Sequence, residues 1–232
     1  MVKETSYSQV SIGEIVAIDF RSAEIFKSAG IDFCCGGKKK LENACKEKSI
    51  NPSILIEQLK ELENIPVSQT QNFNDWDLGF LADYIVNTHY KYVLKSLPEL
   101  VYYTQKIATV HGSHHPELIE VADLFGKIST ELTQHLQKEE EILFPTVKDA
   151  LKSNSSEART TIASEIKRMS SEHEFAGDAM DKINEITFGY KVPQDGCNTY
   201  NVAFKFLKQF EDDLHIHVHL ENNILYPKAL AL

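Results

Sequence analysis

The chain has 232 residues, 42% of them hydrophobic and 25% charged, with 10 Gly and 7 Pro, which suits a small folded domain followed by a larger one. A formal net charge of -10, with no basic patch interleaved with aromatics, argues against partners among nucleic acids and anionic membranes. No apolar run approaches ~18 residues and the first ten residues hold no apolar stretch, so neither a membrane span nor a signal peptide is expected.

Residues 11–62 carry the start and stop signals of four short helices. Ser11 to Ile18 opens on Ser11 with Glu14 three residues on, a capping box. Ser22 to Ala29 stops at Gly30; Lys38 to Lys48 follows Gly36-Gly37; Pro52 starts a helix ending near Glu63. Together they predict a small helical domain over residues 1–63. Residues 64–76 are polar, with one Pro and three Asn, and read as a linker.

From residue 77 to 232 there are four longer patterns. The first carries Leu78, Ala82, Ile85, His89 and Tyr92. The second carries Leu118, Val121, Phe125, Ile128, Leu132, His135, Glu139 and Ile142. The third carries Ile162, Ile166, Met169, His173, Ala176, Met180 and Ile183, and the fourth Ala203, Leu207, Phe210, Leu214, His217, Glu221 and Ile224. Each series alternates steps of three and four, the core-facing seam of a helix in a bundle. Pro98, Pro116, Asn154 and Pro193 are expected to separate the helices. The predicted fold is all-α, an up-down four-helix bundle behind the small domain.

Four His and two Glu stand in those seams where apolar residues belong. Two seams share one motif: His135-x3-Glu139-x2-Ile-Leu-Phe-Pro145, and eighty-two residues later His217-x3-Glu221-x2-Ile-Leu-Tyr-Pro227. A His and a Glu four apart share one helix face. Burying ionised carboxylates without a counter-charge costs several kcal/mol each, roughly. A pair of metal ions meets that need, with the carboxylates bridging and the imidazoles terminal. Nitrogen and oxygen donors without thiolate suit iron or manganese, and zinc is possible. The proposed ligands are His89, His135, Glu139, His173, His217 and Glu221; the plain alternative for any single one is a hydrogen-bonded core residue. His215 and His219 fall on the opposite face from His217 and are expected to be solvated. His111, His114 and His115 sit near Gly112 and Pro116 in a turn, where a metal cluster is the sharper reading and a surface loop the plainer one. Glu131 and Glu172 neighbour His135 and His173 and either relay protons or ions toward the metals or form an ordinary acidic face.

These residues resemble the hemerythrin-like domain, and with the Ile31-Asp-Phe-Cys34-Cys35-Gly-Gly stretch the whole chain is similar to the repair-of-iron-centres family. That resemblance implies a non-haem di-iron centre, oxo- and carboxylate-bridged, in a stress protein that restores iron–sulfur clusters damaged by nitric oxide or oxidants. Damaged iron–sulfur proteins would be its partners, NO or O2 its small ligands, the cytoplasm its compartment, and the protein a monomer or homodimer. Whether it counts as an enzyme is left open. The alternatives are a di-iron reductase acting on NO or peroxide, and an oxygen, NO or redox sensor. Oxygen-carrying hemerythrins resemble this chain but place a further His one turn beyond the third-helix ligand; here that position is Gly177, which implies a more open and reactive centre.

Four Cys (34, 35, 45 and 197) without a secretory signal suggest free thiols in a reducing compartment. Cys34 and Cys35 precede Gly36-Gly37 and a predicted helix opening with Lys38, Lys39 and Lys40. A helix N-terminus and ammonium groups lower a thiol pKa, so the pair is a candidate reactive site that receives iron, electrons or NO. One buried Cys beside one bystander is the plainer reading. Cys45 and Cys197 read as core or surface residues.

Overall fold

The computed structural model describes residues 7–64, 72–153 and 155–232, and no strand occurs among them. Most of the linker expected at 64–76, and the break expected at Asn154, therefore lie outside the described residues. The described residues up to Leu81, together with Val218–Leu232, form one compact unit, and Ala82–His217 form another.

In the first unit α1 (Ile12–Ile18) carries the expected capping box: the Glu14 amide donates to Ser11 Oγ, and the Ser11 amide to Glu14 Oε2. Helix α2 (Ser22–Ser28) stops at Gly30, whose φ of +65° lets the Ile31 and Gly30 amides turn back onto the carbonyls of Phe26 and Lys27. Helix α3 (Leu41–Glu47) starts three residues later than predicted. Lys39 and Lys40 stay extended because their strand-like stretch bonds to the entry of α1, Ile12 N–H to Lys39 and Leu41 N–H to Val10. Helix α4 (Pro52–Glu63) has Pro52 in its first turn and Asn51 as N-cap, accepting from the Ser53 amide. Ile12, Val16, Phe26, Leu41, Cys45 and Leu59 fill the core between them.

Ala82–His217 hold most of the up-down bundle. Its first column begins in α5 (Leu78–Ile85), passes through a π turn (Val86–Tyr90) and continues as α6 (Lys91–His111). The second is α7 (Glu117–Lys138), a π turn (Glu139–Leu143) and α8 (Phe144–Ala150); the third is α9 (Ser156–Ile186) and the fourth α10 (Asn198–His219). The chain runs on from α10 through a third π turn (Leu220–Leu225) into α11 (Tyr226–Leu230). Pro98 does not end its helix. It sits on the exposed face of α6, where the carbonyl it deprives of an amide partner can bond to water.

The third and fourth seams are buried at every predicted position within α9 and α10. The first two drift after their polar ligand candidate. Tyr90, not Tyr92, is fully buried, and Leu143 is buried while Ile142 is 40% exposed. The reason is the π turn in each column, which inserts one residue and rotates the rest of the column by about 100° relative to an unbroken helix. In the second column Pro145 lacks the amide that would bond the Glu141 carbonyl, and Pro227 does the same to Asn223 further along. The ladder widens just ahead of each proline.

Candidate metal centre

The seam places five of the six proposed ligands in the dry centre of the bundle. His135, Glu139, His173 and His217 are 0% exposed and His89 3%. One ring nitrogen from each of His135, His173 and His217 lies within 4.8 Å of the other two. His89 stacks on His217 with ring centroids 6.1 Å apart. Glu221, also 0% exposed, stands one turn beyond His217 on the same continuous helix.

Two of these imidazoles are held from behind by carboxylates. His89 Nδ1 lies 2.9 Å from Asp213 Oδ1, and His135 Nδ1 lies 2.9 Å from Glu172 Oε2. A carboxylate behind Nδ1 fixes the proton there and turns the Nε2 lone pair inward, the arrangement that outer-shell carboxylates give to metal-bound histidines. His89 Nε2 is indeed buried with no hydrogen-bond partner. His135 Nε2 lies 3.0 Å from both His173 Nε2 and Glu139 Oε2. Two donors about 2.1 Å from one cation, at right angles, stand about 3 Å apart, so this cluster has the spacing of neighbouring ligands on a metal. The donor set is imidazole and carboxylate, which suits iron, manganese or zinc.

Glu172 is thus a direct partner of a ligand candidate. His135 and Lys138 hold its carboxyl down at about 2, and Lys138 Nζ is 2.9 Å away. Glu131 is not brought to the centre. It is exposed and lines a shallow surface groove with Lys167, Arg168, Glu172 and Phe175.

Sequence reasoning missed Tyr90 and Asp213. The Tyr90 hydroxyl donates to Glu139 Oε2, and its ring packs against His217 at 5.1 Å. Nothing in a regular 3.6-residue period would have turned Tyr90 inward; the π turn does so. Asp213 could have been found, since it sits four residues before His217 and so faces the same side of α10. Tyr90→Phe is expected to weaken metal retention about 10- to 100-fold, the usual effect of losing an outer-shell hydrogen bond, measured by competition with a chelator.

The thiol stretch differs from expectation. The Cys34 thiol is pushed well above the ordinary range, first by its hydrogen bond with Cys35, then by burial and by Asp32. The helix expected to lower it is only a three-residue turn (Gly36–Lys38), and two of the three ammoniums are engaged elsewhere: Lys39 with Glu47, Lys40 with Gln9. The two sulfurs lie 4.0 Å apart, Cys34 buried and Cys35 half-buried. Asp32 clamps the loop by accepting the amides of Cys34, Cys35 and Gly36. From the last helical segment, Asn223 Nδ2 donates to the Phe33 and Cys34 carbonyls at 3.2 and 3.1 Å. His219, expected to be solvated, is 0% exposed, packed on Phe20 and Phe33 in the first unit, and burial lowers its pKa to about 4.

The loop histidines do not converge. His115 pairs with Asp195 at 3.1 Å, His114 meets Ser113, and His111 Nε2 lies 3.1 Å from Cys197 Sγ. Cys197 precedes α10, is exposed, and is lowered to about 7 by the His111 hydrogen bond and by backbone amides. Iodoacetamide labelling of Cys197, mapped by mass spectrometry, should therefore rise through a midpoint near pH 7. His111→Ala should move that midpoint upward and slow labelling at pH 7 several-fold.

A family model described as a domain of unknown function, DUF542, matches residues 8–63, and the hemerythrin HHE cation-binding domain matches residues 82–229. The iron–sulfur cluster repair protein YtfE of Pectobacterium carotovorum is 34% identical over 97% of this chain and 98% of its own length. YtfE of Yersinia pestis is 32% identical, covering 97% of this chain and 98% of its own. The iron–sulfur cluster repair protein ScdA of Staphylococcus epidermidis is 29% identical, covering 94% and 96% respectively. Among the described residues no helix is long and apolar enough to cross a membrane. With a hemerythrin-type cation-binding domain over most of its length and relatives matched nearly end to end, the chain belongs to the family of iron–sulfur cluster repair proteins.

Proposed function

We propose that the protein restores damaged iron–sulfur clusters and that His89, His135, Glu139, His173, His217 and Glu221 hold two irons for that purpose. The reading assigns a small helical domain to residues 1–63 and the di-iron bundle to the larger C-terminal part. The observation that supports it most is the set of three imidazoles converging in a dry core, with carboxylates behind His89 and His135 aiming lone pairs inward. When bound, the irons supply redox chemistry and coordination positions open to NO or O2.

The chain's own residues do the rest. Glu172 and Asp213 keep the Nδ1 protons of His135 and His89 in place, so neither ring swings away from the centre. Tyr90 donates to Glu139 and keeps its carboxylate from rotating. The apolar seams above and below exclude water, which strengthens every charge interaction inside. Gly177, at the position where oxygen carriers have a further His, leaves the centre more open. Cys34 and Cys35 form the thiol exit for iron or electrons. Cys35 is the entry to that pair, because Cys34 is buried and Cys35 only half-buried.

Metal analysis with Mössbauer spectra of anaerobically purified protein tests the centre: two high-spin irons in coupled sites are expected, and an iron-free or single-iron protein overturns it. The variant carrying Cys34→Ala and Cys35→Ala should retain its iron yet repair an NO-treated cluster enzyme at least ~10-fold more slowly. Full repair by that variant would discard the thiol exit and leave the centre standing.

A further inference from the structure

A second group of metal-type donors lies away from the bundle centre, on the outer faces of α9 and α10. Asp181, Glu211 and His215 each offer one ligand atom, and these atoms all lie within 4.8 Å of one another. Glu211 and His215 are four residues apart on α10, so one helix face presents both. His215 is two residues before His217, about 200° round the helix, so this group stands on the reverse side of α10 from the central imidazole.

The middle member is built in rather than draped on the surface. Glu211 is only 4% exposed, and burial raises its pKa. Asn184 Nδ2 donates to both of its oxygens, at 3.0 and 3.1 Å. Asn184 is three residues beyond Asp181, so one short stretch of α9 supplies both a donor and the clamp that fixes the carboxylate. Lys208, one turn before Glu211, pairs with Asp212 at 3.5 Å, and its charge, with His215 and the Tyr190 hydroxyl, favours the ionised form of Glu211 against burial. A carboxylate this deeply buried gains from a cation held directly against it. On the open side Asp181 is exposed and His215 half-buried, so an ion can enter without unpacking the helices.

We propose that Asp181, Glu211 and His215 form a second site, for an exchangeable divalent transition cation such as Mn2+, Fe2+ or Zn2+. Two carboxylate oxygens and one imidazole nitrogen match the preferences of these ions over soft copper(I) or bulky Ca2+. Three protein ligands leave the remaining positions to water, so the ion comes and goes. Its place on the solvent side of the helix that carries His217 suits a waiting position for metal in transit, yet the site stands on its own residues and does not depend on the central ligand set.

Mn2+ titration of the full-length protein, carrying the metal it is purified with, tests it. Free Mn2+ is followed by its EPR signal and bound Mn2+ by metal analysis after equilibrium dialysis. One weaker, exchangeable Mn2+ per chain is expected in the parent protein. Asp181→Asn and His215→Gln, both at solvent-reachable positions, should weaken that ion at least ~10-fold with helix content unchanged. Glu211→Gln, which keeps its shape and one acceptor for Asn184, should do the same. His217→Leu should retain the weak Mn2+ even where the central metal is lost, which separates this site from the proposed centre. Isotherms of Asp181→Asn and His215→Gln that superimpose on the parent, or a parent with no weak Mn2+, overturn the proposal.

Discussion

If the proposed centre holds two irons, replacing His217 with leucine is expected to lower bound iron well below two per chain while leaving the helices intact. His217 is fully buried, stacked on His89 and within donor distance of His135 and His173, so its loss removes a nitrogen from the middle of the cluster. The remaining donors would have to enclose a cation with one side of its shell missing, in a core too dry to supply water readily. Leucine has nearly the volume of histidine and no polar atoms to bury. The metal-free variant should thus unfold at the same temperature as the metal-free parent, or a few degrees above it. Metal-loaded parent protein should unfold at higher temperature than both, because a ligand that binds only the folded state stabilises it by mass action. Metal analysis and thermal melts of the loaded and stripped proteins check both parts. Two irons retained by the variant would strike His217 from the ligand set.

The second large effect concerns the loop that carries the thiols. Asn223 threads its carboxamide between two glycines: a Cβ on Gly13 would lie 2.1 Å from Asn223 Oδ1, and one on Gly37 2.4 Å from it. Gly13→Ala should therefore expel the carboxamide and break its bonds to the Phe33 and Cys34 carbonyls. Lost hydrogen bonds and local overpacking together put the cost at about 2–4 kcal/mol. Asn223→Ala breaks the same bonds without the clash and should cost about 1–3 kcal/mol. The informative variant is the double one. With the carboxamide already gone, a Cβ on Gly13 meets only the Gly37 carbonyl, at 3.1 Å, so the pair should be less destabilised than the sum of the two single changes. Denaturant unfolding supplies the cycle, and the labelling rate of Cys34 should rise in all three variants as its loop is released. Additive costs would show that Asn223 does not fill the space that the two glycines leave.

The helices and the polar residues inside them were legible because burial imposes a period, and His or Glu in an apolar period stands out whatever holds it there. In the third seam that logic ran from Ile162 to Ile183 without a slip. It failed just past His89 and Glu139, where the period itself changes, so Tyr90 and Leu143 took the places expected of Tyr92 and Ile142. Pro145 and Pro227 were a visible warning for two of the three widened turns; the turn around His89 has no such mark. The lowering expected of the Cys34 thiol fails for a different reason. Lysine near cysteine in sequence says nothing about which way an ammonium reaches, and Lys39 and Lys40 reach Glu47 and Gln9. From sequence His219 reads as solvated because a lone amphipathic helix has a wet side, and only the fold shows Phe20 and Phe33 covering it.

The widened turns also bear on how such a centre can be copied. Someone grafting the six proposed ligands onto ideal helices, spaced as they are in this chain, would find the residues that follow them, Tyr90 and Leu143 among them, swung about 100° off target. The transplant needs the irregular backbone as much as the residues, and two prolines are part of the recipe. They forbid the amide bonds that would let the spiral relax to its ordinary pitch.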